Sequence, residues 1–292
     1  MFNKRYDGLR VKSLDPIVAL TPYIMPERSD SQVMTKQYLD FDVTTEFIRK
    51  QRTEGHTITH MGLLLTAYLR AVCEFPEMNR FVVNKRLFSR NNISVSFVTL
   101  KQKKDNTLEE ALCKVYLDPY DTIYEVSDKI AKAIEEARVE TNSNSTDKVA
   151  RFLMAMPLLP NLVVSLVKFM DAHGCMPKLI FEASPFHTSL FLSNMASLGM
   201  NYIYHHIYNF GTTSVFFTMG KTEQKLFPNP DGTVRHKRVM PMGIVIDERI
   251  AAGGTYARAF ACMMHYINNP ELLAEKPSED KIKLEIPLVR TK

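Results

Sequence analysis

Three short segments carry residue types that could do chemistry. Asp247-Glu248-Arg249-Ile250-Ala251-Ala252-Gly253-Gly254 puts three charged side chains at a strand end, ahead of small residues and a helix. A carboxylate there can accept or return a proton; read alone, the segment is a solvated strand end with a flexible turn. Ser193-Asn194 closes the apolar run Leu190-Phe191-Leu192. A hydroxyl and an amide at that point can donate to a developing oxyanion; read alone, the pair is a turn. His205-His206 lies between Tyr204 and Ile207. Neighbours in a strand point to opposite faces, so these rings are not expected to share a metal. One ring is expected buried and the other exposed, unless one lines a site.

These segments need elements to hold them. Leu39-Asp40-Phe41-Asp42-Val43 alternates as a half-buried strand does, with Thr44 or Thr45 capping a helix through Gln51 and Gly55 stopping it. Met61, Leu64, Leu65, Tyr68, Val72 and Phe75 are spaced for a helix that Pro76 ends. Ile93 to Phe97 alternates again. Asp121 to Arg138 carries Ile123, Val126, Ile130 and Ile134 on one stripe, with Thr122 and Glu125 placed for a capping box. The apolar stretch Phe152 to Val167 holds Pro157 and Pro160, so it predicts a buried or interfacial helix from near Pro160, with a membrane-surface or ligand-channel helix as the alternative, and not a membrane span. Thr141 to Thr146 reads as a loop. Ser189 to Ser193 and Ser214 to Met219 predict strands. Lys221 to Phe227 and Arg238 to Asp247 predict the arms of a hairpin around Asn229-Pro230-Asp231-Gly232. A last helix is expected over Thr255 to Asn268, burying Tyr256, Phe260, Met263, Met264 and Ile267. Interleaved helices and strands with a hairpin near the end predict one α/β domain, helices on a mixed sheet.

Composition removes several classes. The 292 residues are 45% apolar and 24% charged, with 37 Lys plus Arg against 32 Asp plus Glu, a net charge of +5. Disorder and a disulfide scaffold are excluded. No basic stripe interleaved with aromatics appears, which argues against a nucleic-acid partner. GxGxxG, P-loop, GxSxG and HExxH patterns are absent, so those nucleotide and metal templates fail. Cys73, Cys113, Cys175 and Cys262 lack CxxC spacing, so no metal is expected. Free cysteines and the lack of an apolar N-terminal leader predict a cytoplasmic protein.

The order of the segments carries more than any one of them. A Ser-Asn strand end, a hairpin, then D-x-R-I-x-x-G-G before a helix ending Asn269-Pro270-Glu271-Leu272 resembles the catalytic domain of dihydrolipoamide acyltransferases of 2-oxo acid dehydrogenase complexes. It is also similar to the chloramphenicol acetyltransferase branch of that superfamily. There the late segment typically reads D-H-R-V-I-D-G-A. Leu39 to Thr44, the helix ending Glu74-Phe75-Pro76-Glu77-Met78-Asn79, and Phe216-Phe217-Thr218-Met219-Gly220-Lys221 resemble earlier parts of the pattern. The likeness covers roughly residues 35 to 275.

The resemblance implies a two-layer α/β fold with helices on one face of a mixed sheet, and a homotrimer with its sites between subunits. It implies coenzyme A or acyl-CoA as substrate, a small-molecule thioester, with a dihydrolipoyl or other acceptor entering from the opposite end. Residues 1–292 are then a single catalytic-type domain with no lipoyl or subunit-binding domain, so a carrier domain would sit on another chain. By the same resemblance a histidine takes the thiol proton, a serine steadies the oxyanion and an aspartate orients the site. Here Ser193 matches the oxyanion position with Asn194 beside it, and Asp247, Arg249 and Gly253 match the flanks. Glu248 stands in the histidine's place and Ala252 in the aspartate's. A thiol near pKa 8.5 gives its proton to His at a cost of about 3 kcal/mol and to Glu at about 6 kcal/mol. The difference is roughly a hundredfold in rate, which burial of Glu248 would recover. His205 or His206 is the substitute base if either faces the channel. An acyltransferase with Glu248 as base is therefore expected, the alternative being an inactive homologue that keeps trimer and pocket for binding or scaffolding.

Overall fold

The computed structural model describes residues 4–102, 108–139 and 159–289. The central sheet has seven strands: β3 (Gln32–Asp40), β6 (Ile93–Gln102), β7 (Leu108–Leu117), β8 (Leu190–Asn194), β9 (Val215–Met219), β10 (Glu223–Pro228) and β11 (Val234–Asp247). Their order is β10-β11-β9-β8-β6-β7, with β3 on the other edge of β11. The β6–β8 and β8–β9 pairs are parallel and the rest antiparallel. A second, four-stranded sheet joins β1 (Lys4–Arg5), β2 (Gly8–Arg10), β5 (Arg86–Arg90) and β4 (Arg80–Val83).

The helices are α1 (Pro16–Ile24), α2 (Phe41–Thr53), α3 (His60–Glu74), α4 (Ile123–Val139), α5 (Leu159–Ala172), α6 (Lys178–Ala183) and α7 (Gly253–Asn268). The main core forms where α2, α3, α4 and α7 lie on one face of the large sheet, meeting Leu190, Leu192, Phe217, Met242 and Ile244. α3 buries every residue from Gly62 to Cys73, as a helix wrapped on all sides must. Its buried Arg70 donates to the carbonyls of Pro119 and Glu275. The opposite face holds a small cluster of Phe191, Ile207, Phe216 and Val245 under the irregular stretch 201–211.

Several expectations shift at their edges. Asp40, not Thr44 or Thr45, caps α2, accepting from the amides of Asp42 and Val43. The strand therefore ends where the alternating pattern appeared to continue. Thr122 donates its amide to the Glu125 carboxylate at 2.6 Å and its hydroxyl at 2.9 Å, so the Glu125 half of the capping box forms. Met264 is half-buried and lines a pocket. α5 begins close to Pro160, but Leu162, Val164, Leu166 and Phe169 are at least half exposed, so it is not buried within this chain. The loop expected over Thr141 to Thr146, and Phe152 to Leu158, lie outside the described residues. No described helix is long and apolar enough to cross a membrane.

A buried polar network ties the small sheet to α5. Arg5 donates to Asp7 and Asp171 at 2.8 and 2.6 Å, Arg90 lies 3.9 Å from Asp7, and His187 Nε2 lies 3.3 Å from Asp171. Burial holds His187 below its ordinary value of 6.5, although Asp171 and Asp7 pull the other way. The unfolded chain thus binds a proton on this ring more readily than the native state does. Stability is full above the unfolded value and falls as pH drops below about 6.5. Urea midpoints measured from pH 7.5 to 5 should decline, and His187→Gln should flatten that decline while starting from a lower midpoint.

Candidate active site

The Asp247 loop is built by burial. Asp247 is wholly buried at the end of β11. Arg249 clamps its carboxylate through two bonds of 2.8 and 2.7 Å, Ser31 adds a third at 3.0 Å, and Arg28 lies 3.4 Å away. Arg249 also donates to the carbonyls of Met25 and Pro26. Tyr256, from α7, donates to the Asp247 carbonyl at 2.5 Å; burial first, and then the Asp247 charge, raise its phenol well above 10. The strand end is therefore an internal ion pair and not a solvated charge run. With Asp247 and Arg249 facing inward, the residue between them faces outward: Glu248 is exposed, held by its amide to the Ser31 carbonyl at 2.9 Å.

Glu248 and Ala252 line a pocket of about 800 Å³ between α1, β3 and α7. Its walls are Val33, Ile246, Phe260 and Met264, with Thr35 and Gln37 from β3. No described residue donates a hydrogen bond to the Glu248 carboxylate, and this chain alone does not bury it.

Ser193 and Asn194 lie in a second pocket of about 450 Å³, with Phe191, Phe216, Glu110 and His205. Register places Ser193, Thr218, Gly243 and Lys36 in one row across four strands. Val33, Thr35 and Gln37 pair with Ile246, Ile244 and Met242 on the helix side. Residues of one row share a face, so the Ser193 and Glu248 pockets sit on opposite faces of the sheet. Five residues along β11 and two strands across put the two backbone positions roughly 20 Å apart, with their side chains on opposite faces. Ser193 Oγ is half-buried and turned toward the Met195 sulfur at 3.4 Å; Asn194 Oδ1 is buried without a partner among the described residues.

The histidines overturn the alternation argument. Residues 201–208 form no strand. His205 stacks flat on Phe216, with ring centres 4.3 Å apart, and His206 stacks on His205 at 4.8 Å. His205 is half-buried beside Ser193, whereas His206 is exposed and lines neither pocket. The stretch is laid directly on the sheet. Thr218 Oγ1 accepts from the Ile203 amide and donates to the Ile203 carbonyl. Gly243 lets that carbonyl approach to where a Cβ would stand only 2.3 Å away. Arg28 holds the far end through the carbonyls of Tyr208, Asn209 and Gly211. Sequence reasoning missed Arg28, Thr218 and Gly243, because each acts through a distant segment. Among the described residues no His, Cys, Asp and Glu cluster could hold a metal.

No protein-family model matches the chain, and no curated protein matches its sequence. Solved structures do match its shape. The cubic core of a pyruvate dehydrogenase multienzyme complex superposes with a TM-score of 0.58 at 12% identity, over 90% of this chain and 93% of that one. A dihydrolipoamide acetyltransferase of Azotobacter vinelandii, investigated for the roles of a serine, a histidine and an asparagine in its catalytic mechanism, gives 0.57 at 13% identity over 90% and 94%. A probable dihydrolipoamide acetyltransferase of Listeria monocytogenes gives 0.53 at 12% over 90% and 95%. The chain therefore has the fold of the acyltransferase catalytic cores of 2-oxo acid dehydrogenase complexes.

Two substitutions test the frame. Asp247→Ala leaves two buried guanidiniums without their counter-charge and should cost about 3–5 kcal/mol in urea unfolding. Gly243→Ala drives a methyl into the Ile203 carbonyl. It should cost about 1–3 kcal/mol and open residues 201–208 to limited proteolysis.

Proposed function

We propose that this protein is a CoA-dependent acyltransferase whose site is completed between copies of the chain, as a homotrimer. The placement of Ser193 and Glu248 in separate pockets on opposite faces of one sheet is the observation that supports this reading. In a chain with this fold, a second copy brings the two pockets together. Glu248 of one copy then accepts the proton of the acceptor thiol, and the sulfur attacks the thioester carbonyl. Ser193 of the neighbour donates to the oxyanion, aided by Asn194. Collapse breaks the bond to the CoA sulfur, and Glu248 returns the proton to it. The neighbouring copy supplies the burial that Glu248 needs to work as a base. His205 lies on the Ser193 side, where it can orient the acyl group; His206 is left without a role.

The second reading, a homologue that binds without turning over, is favoured by one observation. The Glu248 carboxylate has no hydrogen-bond partner among the described residues, and Ala252 offers no polar atom to orient it.

Single-turnover transfer from acetyl-CoA to dihydrolipoamide separates the two. Ser193→Ala and Glu248→Gln should each lower the rate by about a hundredfold. Mixed trimers refolded from the two variants should regain activity, because some interfaces then pair an intact Ser193 with an intact Glu248. Activity untouched by either change, or no recovery on mixing, would overturn the shared site. CoA binding without any transfer would favour the second reading.

A further inference from the structure

We propose that the Glu248 pocket binds an organic cation, a ligand with an apolar body and a terminal ammonium. This concerns what the pocket binds, and it rests on the pocket staying open when copies assemble, not on whether acyl transfer takes place there.

At about 800 Å³ the pocket is within the range of small-molecule sites. Among the described residues Glu248 is its one charged lining residue. Its carboxylate meets no cation, amide or hydroxyl among the described residues. Phe260 and Met264 form an apolar wall. Ala257 and Ala261, one turn apart on α7, leave the floor open for an extended chain. Any apolar body seated here takes water from Glu248. A neutral ligand leaves that carboxylate desolvated and unpaired, which is costly. An anion adds repulsion. A cation replaces the lost water with a charge-assisted hydrogen bond, in surroundings where the attraction is screened less than in bulk water. Selectivity for an ammonium therefore follows from one unpaired carboxylate in an apolar cavity.

The test is calorimetric titration of the full chain, without acyl-CoA, using n-hexylamine, n-hexanol and hexanoate at pH 7.5. Hexylamine, protonated at this pH, should bind about fivefold tighter than hexanol or better, and hexanoate weakest. Glu248→Gln should erase the gap between amine and alcohol. Ala261→Phe, at an exposed helix position, should weaken both by filling the floor. Equal binding of amine and alcohol to the natural chain, a preference surviving in Glu248→Gln, or no saturable amine binding would each overturn the proposal.

Discussion

The buried carboxylate of Asp247 is the constraint from which the site is built. Two guanidiniums and a hydroxyl converge on it: Arg28 and Ser31 from one turn ahead of β3, and Arg249 from the turn into α7. Arg249 fixes the turn into α7 and, through the carbonyls of Met25 and Pro26, the end of α1. Arg28 reaches past Asp247 to the stretch that carries the histidines. Ser31 joins the start of β3. Pairing of this kind brings little net stability over an apolar core of the same volume. What it supplies is position: several segments distant in sequence must agree on one geometry, or a charge is left bare in the interior. Burial dominates here, lowering Arg28 from its ordinary value despite the neighbouring carboxylate.

Much of the fold was legible because burial writes a period into the chain. α3, α4 and α7 lie within about two residues of where their apolar spacing places them, and the hairpin follows its turn residues. The readings that failed share a cause. Asp247 and Arg249 look like solvated charges until their partners, more than two hundred residues earlier in the chain, are known. Asp40 reads as one more polar step in a strand, but its carboxylate captures two amides and starts a helix. His205 and His206 satisfy an alternation rule that applies only to a strand, whereas their backbone is set by Thr218, Gly243 and Arg28. The exposed apolar side of α5 has the same origin, since a period reports a face and not what covers it.

The candidate site was legible in its parts, as residues that line cavities, and not in its arrangement. Ser193, Asn194, Glu248 and Ala252 each line a pocket, so the motif pointed to cavity walls. Nothing in the spacing said that the two cavities face away from each other across the sheet. That fact depends on strand register, in which one residue of slip exchanges the faces.

The seating of residues 201–211 separates what holds the segment from what it displays. Its anchors are a threonine hydroxyl, a missing β-carbon and an arginine, and all of them grip the backbone of the segment. Of the side chains at positions 204 to 206, His205 adds to that grip through its stack on Phe216 and its Nδ1 contact with the His206 carbonyl. Tyr204 and His206 are cargo on a fixed rail, open to exchange over generations without loosening it. The surface beside Ser193 can thus be revised at those two positions while the backbone under it stays still.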